Sequence, residues 1–254
     1  MQIRVLGCSG GIGGDRHTTT LLLDDDILID AGSGVSRLSL EELARVDHVF
    51  ITHSHLDHVH SLPLLLDSVA GERQRPVTVH GLPEVLQILK DHIFNWRIWP
   101  DFARIPTPEA PMLVFQPLAL GHTVMLGERA ITAIPAHHVV PACGYLLRGE
   151  DGALLFSGDT ASHEALWNVA RTTPDLRHLI VETSFPNALA ELAQASLHYC
   201  PQTLADDLLD FGLDVPVWIT HLKPGSEPRI MDEIHAALPG RRVEALIEEQ
   251  VFRL

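Results

Sequence analysis

Short β-branched runs alternate with amphipathic helical stretches along this chain, and that alternation predicts an α/β fold. Two further observations shape the expectation. Val49-Phe-Ile-Thr-His53 returns as Val217-Trp-Ile-Thr-His221, and no low-complexity linker divides the chain. Together they predict one domain over residues 1–254, made of two related β-rich halves that meet at a shared site. A looser echo sets Leu28-Ile-Asp30-Ala-Gly32 against Leu155-Phe-Ser-Gly158-Asp159.

The expected strands are Gln2–Leu6, Thr19–Leu23, Ile27–Asp30, Val49–Thr52, Val77–His80 and Ile131–Pro135. Later ones are Gly144–Leu147, Ala153–Ser157, Leu179–Glu182, Val217–Thr220 and Val243–Leu246. Asp-Asp-Asp at 24–26 and Gly-Glu-Asp-Gly at 149–152 separate paired runs, as hairpin turns do. Helices are expected over Leu40–Arg45, His58–Val69, Pro83–Phe94, His163–Arg171, Gln202–Phe211 and Glu227–Leu238. Pro83 just inside a helix start and Gly212 just past a helix end follow the usual asymmetry of helix termini.

Eighteen Lys and Arg stand against 33 Asp and Glu, a formal charge of −15. Such a surface repels a long phosphate backbone, so no nucleic-acid partner is expected. A small anion is not excluded, because bound divalent cations invert the field locally. Cys8, Cys143 and Cys200 lie far apart with no CxxC spacing, which favours a reduced, cytoplasmic setting over a disulfide framework or a thiolate metal site. The opening Met-Gln-Ile-Arg-Val-Leu-Gly reads as a strand and glycine loop rather than a secretion signal, and no apolar run has membrane-spanning length.

Residues 52–60 read Thr-His-Ser-His-Leu-Asp-His-Val-His. His53, His55, Asp57 and His58 place three imidazoles and a carboxylate within six residues, at a strand-to-helix turn that can aim all four into one cleft. That donor set suits Zn, Mn or Fe. A lone histidine would be an ordinary surface residue; four such residues at HxHxDH spacing after an apolar strand are not. Gly7, Gly10, Gly11, Gly13 and Gly14 imitate a phosphate-cradling loop, but the strand-like Thr18-Thr-Thr-Leu-Leu-Leu23 follows where a helix is required. These glycines are read as a loop at the mouth of the cleft.

The HxHxDH run resembles the motif of the metallo-β-lactamase superfamily, and the resemblance extends along most of the chain. It implies a four-layer αββα sandwich of two mixed β-sheets flanked by helices. It also implies two divalent metal ions, zinc first, with Mn or Fe as alternatives. The implied ligands of one ion are His53, His55 and His138, with adjacent His137 still open at this stage. Those of the other are Asp57, His58 and His221, and Asp159 bridges both. Asp30 resembles a residue that orients ligands, though it could equally cap the following turn. His60 falls outside the ligand pattern.

Three stretches resemble the class II cyclic-nucleotide phosphodiesterases within that superfamily. They are His-Leu-Asp-His58 followed by Ser61-Leu62, then Val79-His-Gly-Leu82 leading to Leu89-Lys-Asp-His-Ile-Phe-Asn-Trp-Arg-Ile-Trp-Pro-Asp101, and Val181-Glu182-Thr-Ser-Phe-Pro-Asn187 with His198 and Thr203. The resemblance implies hydrolysis of cyclic AMP, with cyclic GMP as a further substrate, to the 5′-monophosphate. Asp57, Asp159 and His198 would be catalytic, and His198 and Asn95 would contact the substrate. His198 resembles the leaving-group histidine of the ribonuclease Z branch, although four residues separate it from Thr203 where a tight His-x-Thr is the pattern. Ribonuclease Z itself, a small cyclic-phosphate phosphodiesterase, and a metal-bound carrier without turnover are the rival readings. A small-molecule cyclic nucleotide is the expected partner, with no membrane and with a second copy of the chain in a homodimer.

Overall fold

The computed structural model describes residues 1–212 and 214–254, with Phe211 described by its backbone alone. Sixteen strands lie along the described chain. The first eight are β1 (Gln2–Gly7), β2 (Thr20–Leu23), β3 (Ile27–Ile29), β4 (His48–Phe50), β5 (Val77–Gly81), β6 (Pro106–Thr107), β7 (Ala110–Pro111) and β8 (Leu113–Pro117). The rest are β9 (Thr123–Leu126), β10 (Arg129–Pro135), β11 (Cys143–Arg148), β12 (Ala153–Phe156), β13 (Leu176–Glu182), β14 (Val217–Thr220), β15 (Val243–Ala245) and β16 (Val251–Arg253). The helices are α1 (Leu40–Arg45), α2 (Leu56–Val59), α3 (Leu62–Ser68), α4 (Pro83–His92), α5 (Glu164–Arg171), α6 (Ala190–Ala195), α7 (Pro201–Phe211) and α8 (Glu227–Ala237).

Two seven-stranded mixed sheets carry the architecture, in the orders β16-β1-β2-β3-β4-β5-β8 and β15-β14-β13-β12-β11-β10-β9. Each begins as an antiparallel meander and turns parallel, at β3–β4 in the first sheet and β12–β13 in the second. By position in the sheet β3 corresponds to β12, so the looser echo around Asp30 and Asp159 is the aligned one. The stronger echo pairs β4 with β14, one strand out of step. Its five matching residues reflect a shared solution at a strand end rather than equivalent positions.

Alternation along the strands separates the layers. On β12, Leu154 and Phe156 join the core between the sheets, while Ala153 and Leu155 face the helices; on β13, Ile180 faces inward and Leu179 and Val181 outward. Trp167 of α5, Leu204 and Leu208 of α7, and Ile230 and Ile234 of α8 complete that outer core. No helix among the described residues is long and apolar enough to cross a membrane.

The helix expected over His58–Val69 is two helices, α2 and α3, with a break at His60–Ser61. Pro63 has no N–H for a fourth-residue bond, and the Ser61 N–H donates instead to Ala31 O at 3.0 Å. Tertiary hydrogen bonding overrides helical periodicity there. Strands β8, β9 and β16 and helix α6 lie where no element was expected. No residue of β9 is buried, with Thr123 and Met125 exposed and Val124 and Leu126 half-buried, which hides its pattern.

One pair of histidines, buried His80 and half-buried His48, bears on stability. His80 on β5 stacks on Phe50 at 4.2 Å between ring centroids, and its Nε2 lies 3.1 Å from Nδ1 of His48. Burial, then the neighbouring His48, push the His80 imidazole down to about 4. Between an ordinary value of about 6.5 and that value, the unfolded chain binds the extra proton, so stability falls with falling pH by on the order of 3 kcal/mol in all. Denaturant titrations of wild type and His80→Gln from pH 7 to pH 4 should therefore converge or cross as pH falls. A gap between them that stays constant over this range refutes the account.

Candidate metal centre

The candidate ligands arrive at strand ends on one edge of the sandwich. His53 lies three residues past the end of β4, and His55, Asp57 and His58 sit on the entry to α2 and on its short length. His138 lies in the loop after β10, Asp159 follows β12, and His221 follows β14. Asp30, Gly158 and His221 all have left-handed φ, at 58°, 61° and 61°. A sharp left-handed turn at a strand end swings the next side chain out of the sheet and into the cleft, and non-glycine residues hold it only where surrounding contacts fix it.

Two disjoint groups result, each with its ligand atoms mutually close: His53, His55, His138 and Asp159, and Asp57, His58 and His221; a third, Asp159, His198 and His221, overlaps both. Oδ2 of Asp159 ties them together, 3.6 Å from His53 Nε2, 3.4 Å from His58 Nε2 and 3.2 Å from His221 Nε2. Asp57 Oδ2 is 3.2 Å from His221 Nε2. His138 and not His137 enters the cluster: its Nε2 lies 3.2 Å from His55 Nδ1. His137 turns its ring towards His163 at 6.3 Å and gives its backbone N–H to Thr160 Oγ1.

The donor set fits divalent cations on three observations. Nε2 of His53 and Nε2 of His58 are buried with no hydrogen-bond partner, although buried ring nitrogens are normally satisfied. The 3.2 Å between His55 and His138 nitrogens matches the separation of about 3.3 Å that bonds of about 2.0–2.1 Å impose at tetrahedral angles. Finally, the far nitrogen of four rings is anchored. His53 Nδ1 donates to Thr52 Oγ1 at 3.0 Å, His58 Nδ1 to Asp30 Oδ2 at 2.6 Å, His138 Nδ1 to Leu197 O at 3.2 Å, and His221 Nδ1 to Ser184 Oγ at 2.9 Å. Fixing one nitrogen sets the tautomer and aims the other at a cation.

Burial, then the nearby His58, hold the His53 imidazole well below its usual range, and burial holds His138 down to about 4. Burial also opposes a charge on His58, but Asp159 and Asp30 outweigh it and draw the imidazole well above its usual range. Asp159 is driven the other way: burial disfavours its charge, yet His221 and His58 hold the carboxyl well below the carboxylate range.

Beside the groups lies a second buried assembly. Glu182, fully buried, accepts from His198 Nδ1 at 2.6 Å, from Thr160 N at 3.0 Å and from Ser184 Oγ at 3.2 Å. Burial pushes the His198 imidazole down, but the Glu182 carboxylate outweighs it and raises it. The ring stacks on His221 at 5.3 Å between centroids. Sequence reasoning missed the roles of Glu182, Ser184 and Thr52. The available signal was position, since each stands at or next to a strand end as the ligands do. Asn95 lies in a local turn: its Oδ1 accepts from Arg97 N and Ile98 N and its Nδ2 donates to Asp91 O, all at 2.9 Å. Thr203 likewise serves the start of α7, where it exchanges hydrogen bonds with Cys200. In the glycine loop, Gly10 is required: a Cβ there would collide with the His221 backbone, and Gly10 N donates to Leu222 O.

A family model described as the β-lactamase superfamily domain matches residues 25–207. Among relatives, a probable 3′,5′-cyclic-nucleotide phosphodiesterase of Yersinia pestis is 26% identical over 88% of this chain and 78% of that one. A ribonuclease Z of Parabacteroides distasonis is 27% identical, but over 57% of this chain and 48% of its own length. Among solved structures, unliganded yeast PDE1 superimposes with a TM-score of 0.82 at 20% identity, covering 100% of this chain and 99% of that one.

Elemental analysis after gentle purification should find about two equivalents of Zn, Mn or Fe per chain, given two ligand groups joined by one carboxylate. Asp159→Ala should deplete both. Asp30→Ala should weaken one equivalent by about 10–100-fold, as loss of an anchoring partner does. Full activity with a single equivalent would discard the paired arrangement.

Proposed function

The chain belongs to the β-lactamase superfamily, and on that premise we propose that it is a metal-dependent phosphodiesterase opening 3′,5′-cyclic nucleotides, cyclic AMP and also cyclic GMP, to 5′-monophosphates. The relative aligned along most of this chain carries that name, marked probable. The observation that carries the reading is the Glu182–His198 pair set beside two ligand groups. A cyclic phosphodiester leaves as a sugar alkoxide, which needs a proton far more than a thiolate or a phenolate does.

His53, His55 and His138 would hold one divalent cation, Asp57, His58 and His221 a second, and Asp159 both; zinc suits the imidazole and carboxylate set best. Bound there, two cations supply Lewis acidity and lower the pKa of water. The protein does the rest. Asp30, Thr52, Ser184 and the Leu197 carbonyl hold the ligand rings in register. Glu182 keeps His198 protonated and fixes its Nδ1, leaving Nε2 to give a proton to the ribose 3′-oxygen as its bond to phosphorus breaks. Water attacks phosphorus from the opposite side and sheds a proton that makes up for the one His198 gives, which leaves a 5′-monophosphate and a free 3′-hydroxyl. A cytoplasmic setting and a homodimer belong to the same proposal.

A ribonuclease Z activity is the second reading, favoured by the relatives of that name, although the alignment spans about half of the one described and the charge of −15 repels RNA. The metal-loaded protein should be assayed against cyclic AMP, cyclic GMP, 2′,3′-cyclic nucleotides and a precursor tRNA. Turnover of the 3′,5′-cyclic substrates with weak salt dependence is expected. Steep salt inhibition with efficient tRNA cleavage would install the second reading, and no turnover of any substrate would favour a carrier.

Replacing His198 with Ala should lower the rate on cyclic AMP by roughly 10²–10⁴ while sparing metal content. The loss should shrink for a p-nitrophenyl phosphodiester, whose departing oxygen needs no proton. Because the His198 imidazole is raised, it serves as acid until pH climbs through its pKa, so wild-type activity should fall above that point and Glu182→Gln should move the fall to lower pH. Equal losses on both esters would remove His198 from leaving-group chemistry.

A further inference from the structure

A cavity of about 510 Å³ opens on the flank of His198 away from any role assigned above. One wall is α6 and its exit, with Ala190 exposed, Ala193 buried and Leu197 half-buried; Ala161, two residues after Asp159, also lines it. Its volume falls within the usual range for small-molecule sites, and these four residues give it small apolar surfaces. Besides His137 and His198, the polar groups within it divide into two kinds. The hydroxyls of Ser162 and Thr203 are engaged, donating to Asp207 Oδ1 and to Cys200 O. The side chains of Glu191 and Gln194 line the same cavity and have no hydrogen-bond or ion-pair partner among the described residues.

We propose that this cavity receives the purine base of the substrate, with the ring between Ala161 and the alanines of α6 and its polar edge on Glu191 and Gln194. The inference rests on the phosphodiesterase reading and specifies its substrate class. A flat aromatic ring gains from apolar walls that leave a slot, and a purine edge presents N–H donors to a carboxylate and both donors and acceptors to an amide. His198 lies on the boundary between the cavity and the ligand groups, so one nucleotide can span both. A second, more open depression borders His138 on its other side and includes Val139, which is 51% exposed. It supplies an internal comparison.

The test compares kcat/KM for cyclic AMP with that for methyl riboside 3′,5′-cyclic phosphate, which keeps the reacting ring and lacks the base. Ala190→Trp, which fills the slot from an exposed helix position, should lower the ratio of the two by roughly tenfold or more, within the discrimination a misfitted pocket gives. The double variant Glu191→Ala/Gln194→Ala, which fills nothing, should lower it in the same direction. Val139→Trp should leave the ratio as in wild type. Calorimetry with adenosine reads the cavity without turnover: wild type should bind it, and Ala190→Trp should weaken binding by a similar factor. An unchanged ratio and unchanged adenosine affinity in both cavity variants overturn the proposal, as does a loss caused by Val139→Trp instead. If neither cyclic ester is turned over, the phosphodiesterase reading fails, and adenosine binding still decides the cavity.

Discussion

The carboxylate of Asp30, with no exposure to solvent, accepts hydrogen bonds from the backbone N–H of Thr52, from its hydroxyl and from Nδ1 of His58. A buried charge of this kind is tolerated only when paired and fully hydrogen-bonded. Meeting that requirement fixes three things together. The end of β3 must turn left-handed, the chain after β4 must pass beside it, and α2 must begin where His58 can reach back. The HxHxDH loop has its shape because one carboxylate in the core leaves it little choice. The Thr52 hydroxyl then hands the order on to His53.

The same logic operates in the second sheet with different residues. Glu182 is the buried carboxylate there, and it gathers Thr160, Ser184 and His198. Ser184 in turn orients His221, as Thr52 orients His53. Each sheet thus brings a carboxylate–hydroxyl–imidazole arrangement to the cleft, and Asp159 lies where the two meet. Tyr145 and Cys143 hold the sheets in register there, through hydrogen bonds to Ile51 O at 2.8 Å and Thr52 O at 3.0 Å. Small shifts between the sheets would be felt directly as shifts between ligands.

Much of this was legible in the sequence, for a physical reason. Ligands that must lie on one short turn sit close together in the chain, so HxHxDH announces itself. Asp159 and His221 follow apolar runs, and a strand end is recognisable from the run before it. The supporting residues were less legible because their partners are distant: Glu182 meets His198 across sixteen positions and Asp30 meets His58 across twenty-eight. Nothing local distinguishes Glu182 from any strand-end glutamate. The broken helix at His60–Ser61 needed knowledge of Ala31. Strand β8 was hidden because burial fades along it, with Leu113 enclosed and Gln116 and Pro117 exposed.

Strand β1 pairs on one side with β2 and on the other with β16, in the register Gln2 with Arg253. The second partner is made almost a whole chain later. During translation the first sheet can therefore form its meander early, yet it must wait with one edge of β1 uncovered while the second sheet is synthesised and folds. An uncovered edge is a template for pairing with other chains, and contacts of such long range form slowly. Arg4 and its salt bridge to Glu42 place charge on that waiting strand from within the first half. Crowding on the ribosome, more than the stability of the finished molecule, is then the circumstance in which this topology is most exposed.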